Sequence, residues 1–250
     1  INKKLIKEGD VHTHPVWRSV ECAIASTRRI VKIAEKHNKK AHILHITTKE
    51  EIDFLSQHKG NITFEITPQH LTLYAPDCYN KLGTYAQMNP PIRDKSHYDR
   101  LWYGVRNNLN DTIGSDHAPH LKINKDKVYP NTPSGMPGVQ TLLPVMLNHM
   151  NDGKLTLNQL MNFVCENPVK IFGIKNKGFI KEGYDADFTV VDMNKITEIK
   201  NENIESKCGW TPFDGYKLKG TPILTIISGK IKMKNGKIIG DPEGNPLEFV

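Results

Sequence analysis

The chain has 250 residues, of which 38% are hydrophobic and 24% charged, and its formal net charge is +7 at pH 7. This length and this balance are typical of a globular protein with a sizeable core, and they exclude a disordered or fibrous chain. No run of residues approaches the ~18 consecutive apolar positions of a membrane-spanning helix. We therefore expect no membrane association.

The charge distribution and the cysteines exclude two further classes. Lys and Arg are spread along the chain without a recognisable nucleic-acid motif, so we expect no nucleic-acid partner. Four cysteines stand far apart without a Cys-x-x-Cys pair, which argues against a zinc knuckle or a disulfide framework. The opening residues, INKKLIKEGD, lack the apolar stretch of a signal peptide, so we expect a cytoplasmic location.

Helical and strand patterns alternate through the first part of the chain. In chain order we predict helix 20–39, strand 41–47, helix 48–58, strand 61–67, helix 96–109 and strand 111–116. A Gly/Pro loop at 134–140 then opens a helical stretch, and a further helix over 156–172 is closed by Gly173. Strands that alternate with helices predict a parallel α/β sheet or barrel.

The last quarter of the chain has a different texture. From Lys177 onward, short β-branched runs are separated by glycines, and Asn235-Gly236 is a strong signal for a β-hairpin. We therefore predict two domains, an α/β region over 1–176 and a small β domain over 177–250. The last segments could return to pack against the α/β region.

Two histidines occupy the strand AHILHIT. Side chains alternate along a strand, so His42 and His45 are predicted to point to opposite faces, and only one of them can enter a shared pocket. His45 lies nearer the carboxyl end of its strand, where the active-site groups of α/β barrels and open parallel sheets are found. We therefore favour His45 as the functional residue and interpret His42 as structural.

A carboxylate and two imidazoles follow the third predicted strand. Asp116 comes directly after TIGS, and His117 and His120 flank Pro119 in the turn that follows. Such a group can be a hydrogen-bonded turn or a site for a metal and proton transfer. His45 ends an earlier strand, and catalytic zinc sites combine histidine and carboxylate ligands. The pattern therefore favours a metal site over a hydrogen-bonded turn.

Two loops complete the candidate residues. In QMNPPIRD, Pro90 biases Asn89 away from helical conformation, and the Asn89 amide offers both a donor and an acceptor. The loop PSGMPGVQT precedes a helix, and its backbone amides could bind an anion or a carbonyl oxygen. It lacks the lysine of a P-loop, so we do not expect it to bind a nucleotide phosphate.

Taken together, the segments LHIT, EITPQHL, NPPIR, GSDHAPH, SGMPGVQT and KGFIKEGYDADFTVVD resemble the amidohydrolase superfamily, and within it the dihydroorotases. The resemblance runs over essentially the whole chain. Allantoinases tend to carry a cysteine at the position of Asn89, and hydantoinases replace the DHAPH pattern. The alternatives are an allantoinase- or hydantoinase-type cyclic amidohydrolase, and a non-catalytic dihydroorotase-like scaffold subunit.

The resemblance implies a fold, a reaction and roles for individual residues. The fold class it implies is α/β, the C-terminal part of a (β/α)8 amidohydrolase barrel with strands of a small β-sandwich domain. The reaction is the zinc-dependent, reversible cyclisation of N-carbamoyl-L-aspartate to dihydroorotate in pyrimidine biosynthesis. His45 and Asp116 match metal ligands, and Asp116 also matches the catalytic proton carrier. The positions that hold the substrate match Asn89, His120, Pro137 and Gly138.

One part of the family pattern has no counterpart in this sequence. The His-x-His pair, the bridging carboxylate and a further histidine ligand of the family have no match before DVHTHPVWR, and His12-Thr13-His14 lies in a polar loop rather than at a strand end. We expect one or two zinc ions whose remaining ligands come from outside this segment. We further expect a homo-oligomer, which could associate with an N-terminal half or with aspartate carbamoyltransferase.

Overall fold

A computed structural model describes residues 2–250. The chain divides into two compact units, which are described separately. The first contains residues 2–142 together with Lys200–Gly215, and the second contains Leu143–Ile199 and Tyr216–Val250. This division follows the packing of the chain. The boundary near residue 177, between a barrel part and a β domain, stays a prediction.

A parallel sheet of three strands organises the first unit. The strands are β1 (Ala41–Ile43), β2 (Ile62–Ile66) and β3 (Thr112–Ile113), with β2 in the centre. His42 lies opposite Thr63, and Glu65 lies opposite Thr112. Because the strands are parallel, their carboxyl ends meet at one edge of the sheet, as the predicted alternation requires.

Helices connect the strands of the first unit. Their bounds are α1 (His14–Trp17), α2 (Val20–Lys36), α3 (Lys49–Leu55), α4 (Pro68–Thr72), α5 (Asp77–Leu82), α6 (Lys95–Arg106) and α7 (Lys122–Lys125). Short 3₁₀ turns occupy Lys3–Leu5, Val11–Thr13, Gly83–Ala86 and Asn201–Asn203. Thr48 forms a capping box with Glu51 at the start of α3.

The core of the first unit lies between the sheet and these helices. Ile62, Phe64 and Ile66 of β2 are buried, whereas Thr63 and Glu65 between them are partly exposed. A second buried cluster packs beneath the loops that contain residues 88–92 and 129–136. It includes Met88, Ile92, Tyr129, Met136 and Trp210. Trp210 belongs to the segment Lys200–Gly215, so this late segment is part of the core that supports the loops.

The second unit combines helices with an antiparallel sheet. Its helices are α8 (Leu142–Asn151, from Leu143 onward), α9 (Leu157–Met161) and α10 (Asn167–Phe172), with a π-helical turn at Asn162–Glu166. Its strands are β4 (Phe188–Glu198), β5 (Lys217–Ile227), β6 (Lys230–Lys234) and β7 (Lys237–Ile238), paired in sequence order. Gly173 ends α10 in the left-handed conformation at φ +65°, as predicted.

The predicted alternation of elements and the β character of the tail are both found. The predicted third strand is shorter than DTIGSD, because only Thr112 and Ile113 pair with β2. Over residues 2–250, none of the helices combines the length and the apolar character that crossing a membrane requires.

A buried histidine of the second unit predicts a dependence of stability on acid. Burial, with the nearby Lys154 charge, lowers the pKa of His149 from 6.5 to about 3. Between these two pKa values, His149 is protonated in the unfolded chain but not in the folded protein. The free energy of unfolding therefore falls as the pH drops below 6.5. Between pH 7 and pH 5, we expect the free energy of unfolding of His149→Gln to fall by about 2 kcal/mol less than that of the wild type. Urea titrations at the two pH values measure this difference. The exposed His37→Gln should follow the wild type, and equal losses in all three proteins would contradict this expectation.

Candidate functional site

Three chemically active side chains gather where the parallel strands end. His45 follows β1, Glu65 is the fourth residue of β2, and Asp116 follows β3. The His45 backbone N–H donates to Glu65 Oε1 at 3.4 Å. The pKa of Asp116 is raised above its usual value, mainly by burial. The nearby charge of His45 opposes this shift, and the carboxylate of Glu65 adds to it. His45, Glu65 and Asp116 therefore lie within electrostatic range of one another.

His45 and Asp116 share an uncommon backbone conformation. Each has φ of +40°, in the left-handed region that residues other than glycine adopt rarely. Strained conformations of this kind persist where surrounding structure holds them, and they cluster at functional sites. Because β1 ends at Ile43, the strict alternation assumed for His42 and His45 does not continue to His45.

The polar face of the sheet lies beside these residues. His42 Nδ1 is 2.8 Å from Thr63 Oγ1, and His42 Nε2 is 3.5 Å from Glu65 Oε2. A Cβ at Gly114 would come within 2.4 Å of the Glu65 carboxylate, so this carboxylate fills the space that a side chain at 114 would need. His42 thus contacts side chains of the neighbouring strand β2, and Glu65 extends the acidic character of the sheet edge toward Asp116.

The donor types at this edge fit part of a metal site. His45 Nδ1 is buried and has no hydrogen-bond partner within residues 2–250. An imidazole nitrogen and a carboxylate oxygen are both zinc ligands, and a catalytic zinc takes about three ligands from protein. Across the described part of the chain no group of three or more His, Cys, Asp or Glu side chains is arranged to hold a metal. His45 and Asp116 therefore supply two donor types that suit zinc, fewer than the about three protein ligands of a catalytic zinc.

His120 is held by the loop that follows it. Its Nε2 lies 3.1 Å from the Ser134 carbonyl, so this nitrogen carries a hydrogen and donates. The His120 carbonyl accepts the Trp210 indole N–H at 2.7 Å. With Nε2 engaged, Nδ1 is the ring atom left for a further contact.

The Gly/Pro loop packs directly against the strand end that carries Asp116. The Gly138 N–H donates to His117 Nδ1 at 3.1 Å, which gives His117 a role that sequence alone did not assign. A Cβ at Gly138 would come within 2.2 Å of the Ser115 carbonyl oxygen and within 2.6 Å of Gln69 Nε2. Binding of a substrate oxygen by the Gly138 amide requires that this amide leave His117.

Gly138→Ala is therefore expected to displace the residue next to Asp116. We expect kcat/KM for dihydroorotate, the substrate that the family resemblance implies, to fall about 100-fold. A shift of about 1 Å at a reacting group can reduce the rate by that factor. Gly244→Ala is the matched control, since a Cβ there meets no heavy atom within 4 Å. Steady-state kinetics check the pair, and a Gly138→Ala protein with wild-type kcat/KM would contradict the close packing of this loop.

A buried lysine joins the two predicted substrate loops. Lys125 Nζ donates to the carbonyls of Gln87, Pro133 and Gly135 at 3.0 to 3.2 Å. The side chain is fully buried, and burial lowers its pKa to about 7. Gln87 precedes the segment of Asn89, and Gly135 precedes Pro137 and Gly138, so a single ammonium group links both loops.

Asn89 is held by a residue far away in sequence. His14 Nε2 lies 3.1 Å from Asn89 Oδ1 and 2.9 Å from the Met88 carbonyl. Glu65, His14 and Lys125 were not predicted as site residues. Glu65 could have been found as the acidic position of an alternating strand, whereas His14 and Lys125 carry no local signal of their partners.

Comparisons with known proteins identify the family of the chain. The sequence model of the amidohydrolase family matches residues 8–232. A dihydroorotase of Pyrococcus furiosus is 39% identical over 225 residues, 90% of this chain and 52% of that protein, and one of Methanothermobacter thermautotrophicus is 31% identical over 97% and 55%. Among solved structures, the L-hydantoinase of Arthrobacter aurescens has a TM-score of 0.82 at 29% identity, covering 86% of this chain and 49% of that one.

The alternating helices and parallel strands place the first unit in the α/β class. The chain belongs to the amidohydrolase family. The predicted fold class is confirmed, since a solved D-hydantoinase matches 92% of this chain at a TM-score of 0.86. The chain spans about half the length of the relatives it matches.

Proposed function

We propose that the protein is a dihydroorotase, which interconverts N-carbamoyl-L-aspartate and dihydroorotate. The observation that carries the proposal is the placement of His45 and Asp116 at the carboxyl ends of β1 and β3, on either side of β2 in one parallel sheet, both at φ +40°. Identities of 31 to 39% to several dihydroorotases support this choice of substrate. The roles of the site residues are part of the proposal.

Asp116 is the proposed proton carrier. His45 and Asp116, together with further ligands, would hold zinc, which would lower the pKa of a bound water and polarise the carbonyl under attack. In ring opening, Asp116 accepts the proton of the attacking water and delivers it to the departing amide nitrogen, and cyclisation reverses these steps. The partly buried position of Asp116, which raises its pKa, suits a carboxylate that takes and returns a proton.

The remaining residues hold the anionic substrate. Asn89 and the ring of His120 offer hydrogen bonds from two loops, and the loop of Pro137 and Gly138 offers backbone groups beside Asp116. Their contribution is orientation, which brings the amide and the attacking group together before bonds change. Lys125 keeps the two loops at a fixed spacing.

The similarity to hydantoinase structures defines the main alternative. The solved structures named above are hydantoinases at 26 and 29% identity, below the identity to the dihydroorotases. An allantoinase is a further alternative of the same class, and a non-catalytic scaffold subunit is one of another class.

A direct assay separates these functions. The complete protein is given dihydroorotate, hydantoin and allantoin side by side, and its metal content is measured. We expect turnover of dihydroorotate to exceed that of the other two, with zinc bound. Preferred turnover of hydantoin or allantoin would assign the alternative enzyme, and absence of both zinc and turnover would assign the scaffold.

Several broader features belong to the same proposal. A role in pyrimidine biosynthesis, a cytoplasmic location and a homo-oligomeric state are consistent with a dihydroorotase. Association with an N-terminal half or with aspartate carbamoyltransferase is proposed on the same basis.

A further inference from the structure

His14, the last residue of the His-Thr-His stretch, lies under the loop of Asn89. Its side chain is 1% exposed, and its Nε2 faces two oxygens, Met88 O at 2.9 Å and Asn89 Oδ1 at 3.1 Å. A backbone carbonyl can only accept a hydrogen bond, so His14 Nε2 must carry the hydrogen. The same N–H then reaches both oxygens.

The other ring nitrogen of His14, Nδ1, faces the Tyr129 hydroxyl, which in turn contacts Trp17. Burial and the charges of Arg18 and Arg93 lower the pKa of His14 to about 4, so the ring is neutral at physiological pH and Nδ1 holds a lone pair. The Tyr129 hydroxyl lies 3.4 Å from Nδ1, and the Trp17 indole N–H donates to the Tyr129 oxygen at 2.6 Å. Since Trp17 can only donate, the Tyr129 hydroxyl has its hydrogen for His14.

The segment that carries His14 is fixed by the same motif that carries Asn89. Arg93 of NPPIR donates to the carbonyl of Arg18 at 2.7 Å and to that of Pro15 at 3.1 Å. Arg93 is itself buried, at 6% exposure. Both ends of NPPIR therefore hold the short helix α1, and the distance between His14 and Asn89 is restrained from two sides.

These contacts determine which way the Asn89 amide faces. We propose that His14 is a positioning residue that holds Asn89 with Oδ1 toward its ring and Nδ2 toward the substrate. This role rests on the proposed function. Asn89 then presents only N–H donors to the site, and it selects a substrate with an oxygen acceptor at that point, such as a carboxylate, over one with a ring N–H there.

The orientation can be tested without any activity. In the complete protein with ¹⁵N-labelled histidine, long-range correlations from ring nitrogens to carbon-bound protons report the tautomer, and loss of a signal in His14→Gln assigns it. We expect the neutral Nε2–H tautomer at neutral pH. A neutral Nδ1–H tautomer or a protonated ring would overturn the proposal, whatever substrate the protein acts on.

Kinetics test the consequence for the substrate. We expect His14→Leu to raise KM for dihydroorotate about 10- to 100-fold with kcat changed much less, because an oriented donor to a charged group is lost. His14→Gln places an amide N–H near Nε2 and should restore most of KM, and Tyr129→Phe should have a smaller effect than His14→Leu. His97→Leu removes another buried histidine of the same unit, which contacts Lys49 N rather than Asn89, and should leave KM unchanged.

The outcomes are distinguishable. An unchanged KM in His14→Leu, or equal KM values in the Leu and Gln variants, would mean that His14 only packs in the core. Either result would overturn the proposal. If His14→Leu does not fold, His14→Gln, Tyr129→Phe and the tautomer measurement still decide it. If the wild type turns over no dihydroorotate while the Nε2–H tautomer is found, the proposed function fails and the Asn89 orientation stands.

Discussion

Replacing Asp116 by asparagine is expected to reduce kcat for dihydroorotate at least about 1,000-fold while the dissociation constant for dihydroorotate changes little. Asparagine keeps an oxygen of similar reach but cannot accept and return a proton, and proton transfer by a positioned group contributes about 100- to 10,000-fold. The half-buried setting beside His45 and Glu65 makes Asp116 the carboxylate best placed for this step. Steady-state kinetics and equilibrium binding on the same preparation separate the two effects.

The control for this change is Asp99→Asn. Asp99 is exposed on α6 and forms a surface ion pair with Lys95 at 3.3 Å, so its replacement should leave kcat unchanged. Metal content is measured in both variants, because loss of metal from the Asp116 variant would also abolish turnover. A fully active Asp116→Asn protein would remove Asp116 from the chemistry.

Replacing Lys125 by methionine is expected to destabilise the protein by about 3 to 5 kcal/mol. Methionine fills a similar volume but leaves the carbonyls of Gln87, Pro133 and Gly135 buried without their charged donor, and unsatisfied buried polar groups are costly. The free energy of unfolding is measured at pH 6, below the pKa of about 7, where the side chain carries its full set of hydrogens.

Lys122→Met is the matched control, because Lys122 lies exposed at the start of the same helix α7. Its unfolding free energy should stay within about 0.5 kcal/mol of the wild type. If the Lys125 variant is equally stable, the buried ammonium does not hold the two loops together.

Part of the site was predictable because its signals are local. His45 and Asp116 each follow an apolar run that forms a strand, and strands alternating with helices become parallel, so their ends must share one edge. The capping box of Thr48 and Glu51 and the left-handed Gly173 are likewise encoded within a few residues. Such features follow from hydrogen-bonding rules that act along the chain.

The rest of the site depends on contacts between distant residues. His14 meets Asn89 across 75 positions, and Lys125 meets Gln87 across 38. No local pattern encodes either partner, and a polar loop around His14 gives no sign that its ring is buried. The left-handed backbone of His45 also could not be predicted, because an apolar strand pattern favours extended conformation through residue 45.

Removal and return of metal is the most direct test of the central claim that this strand edge is part of a metal-dependent hydrolase site. The complete protein is treated with a chelator, assayed on dihydroorotate and then supplied with Zn²⁺, with His45→Gln treated in parallel. We predict that turnover disappears with the metal and returns with Zn²⁺ in the wild type, and that His45→Gln recovers little. Undiminished turnover in metal-free protein would contradict the claim.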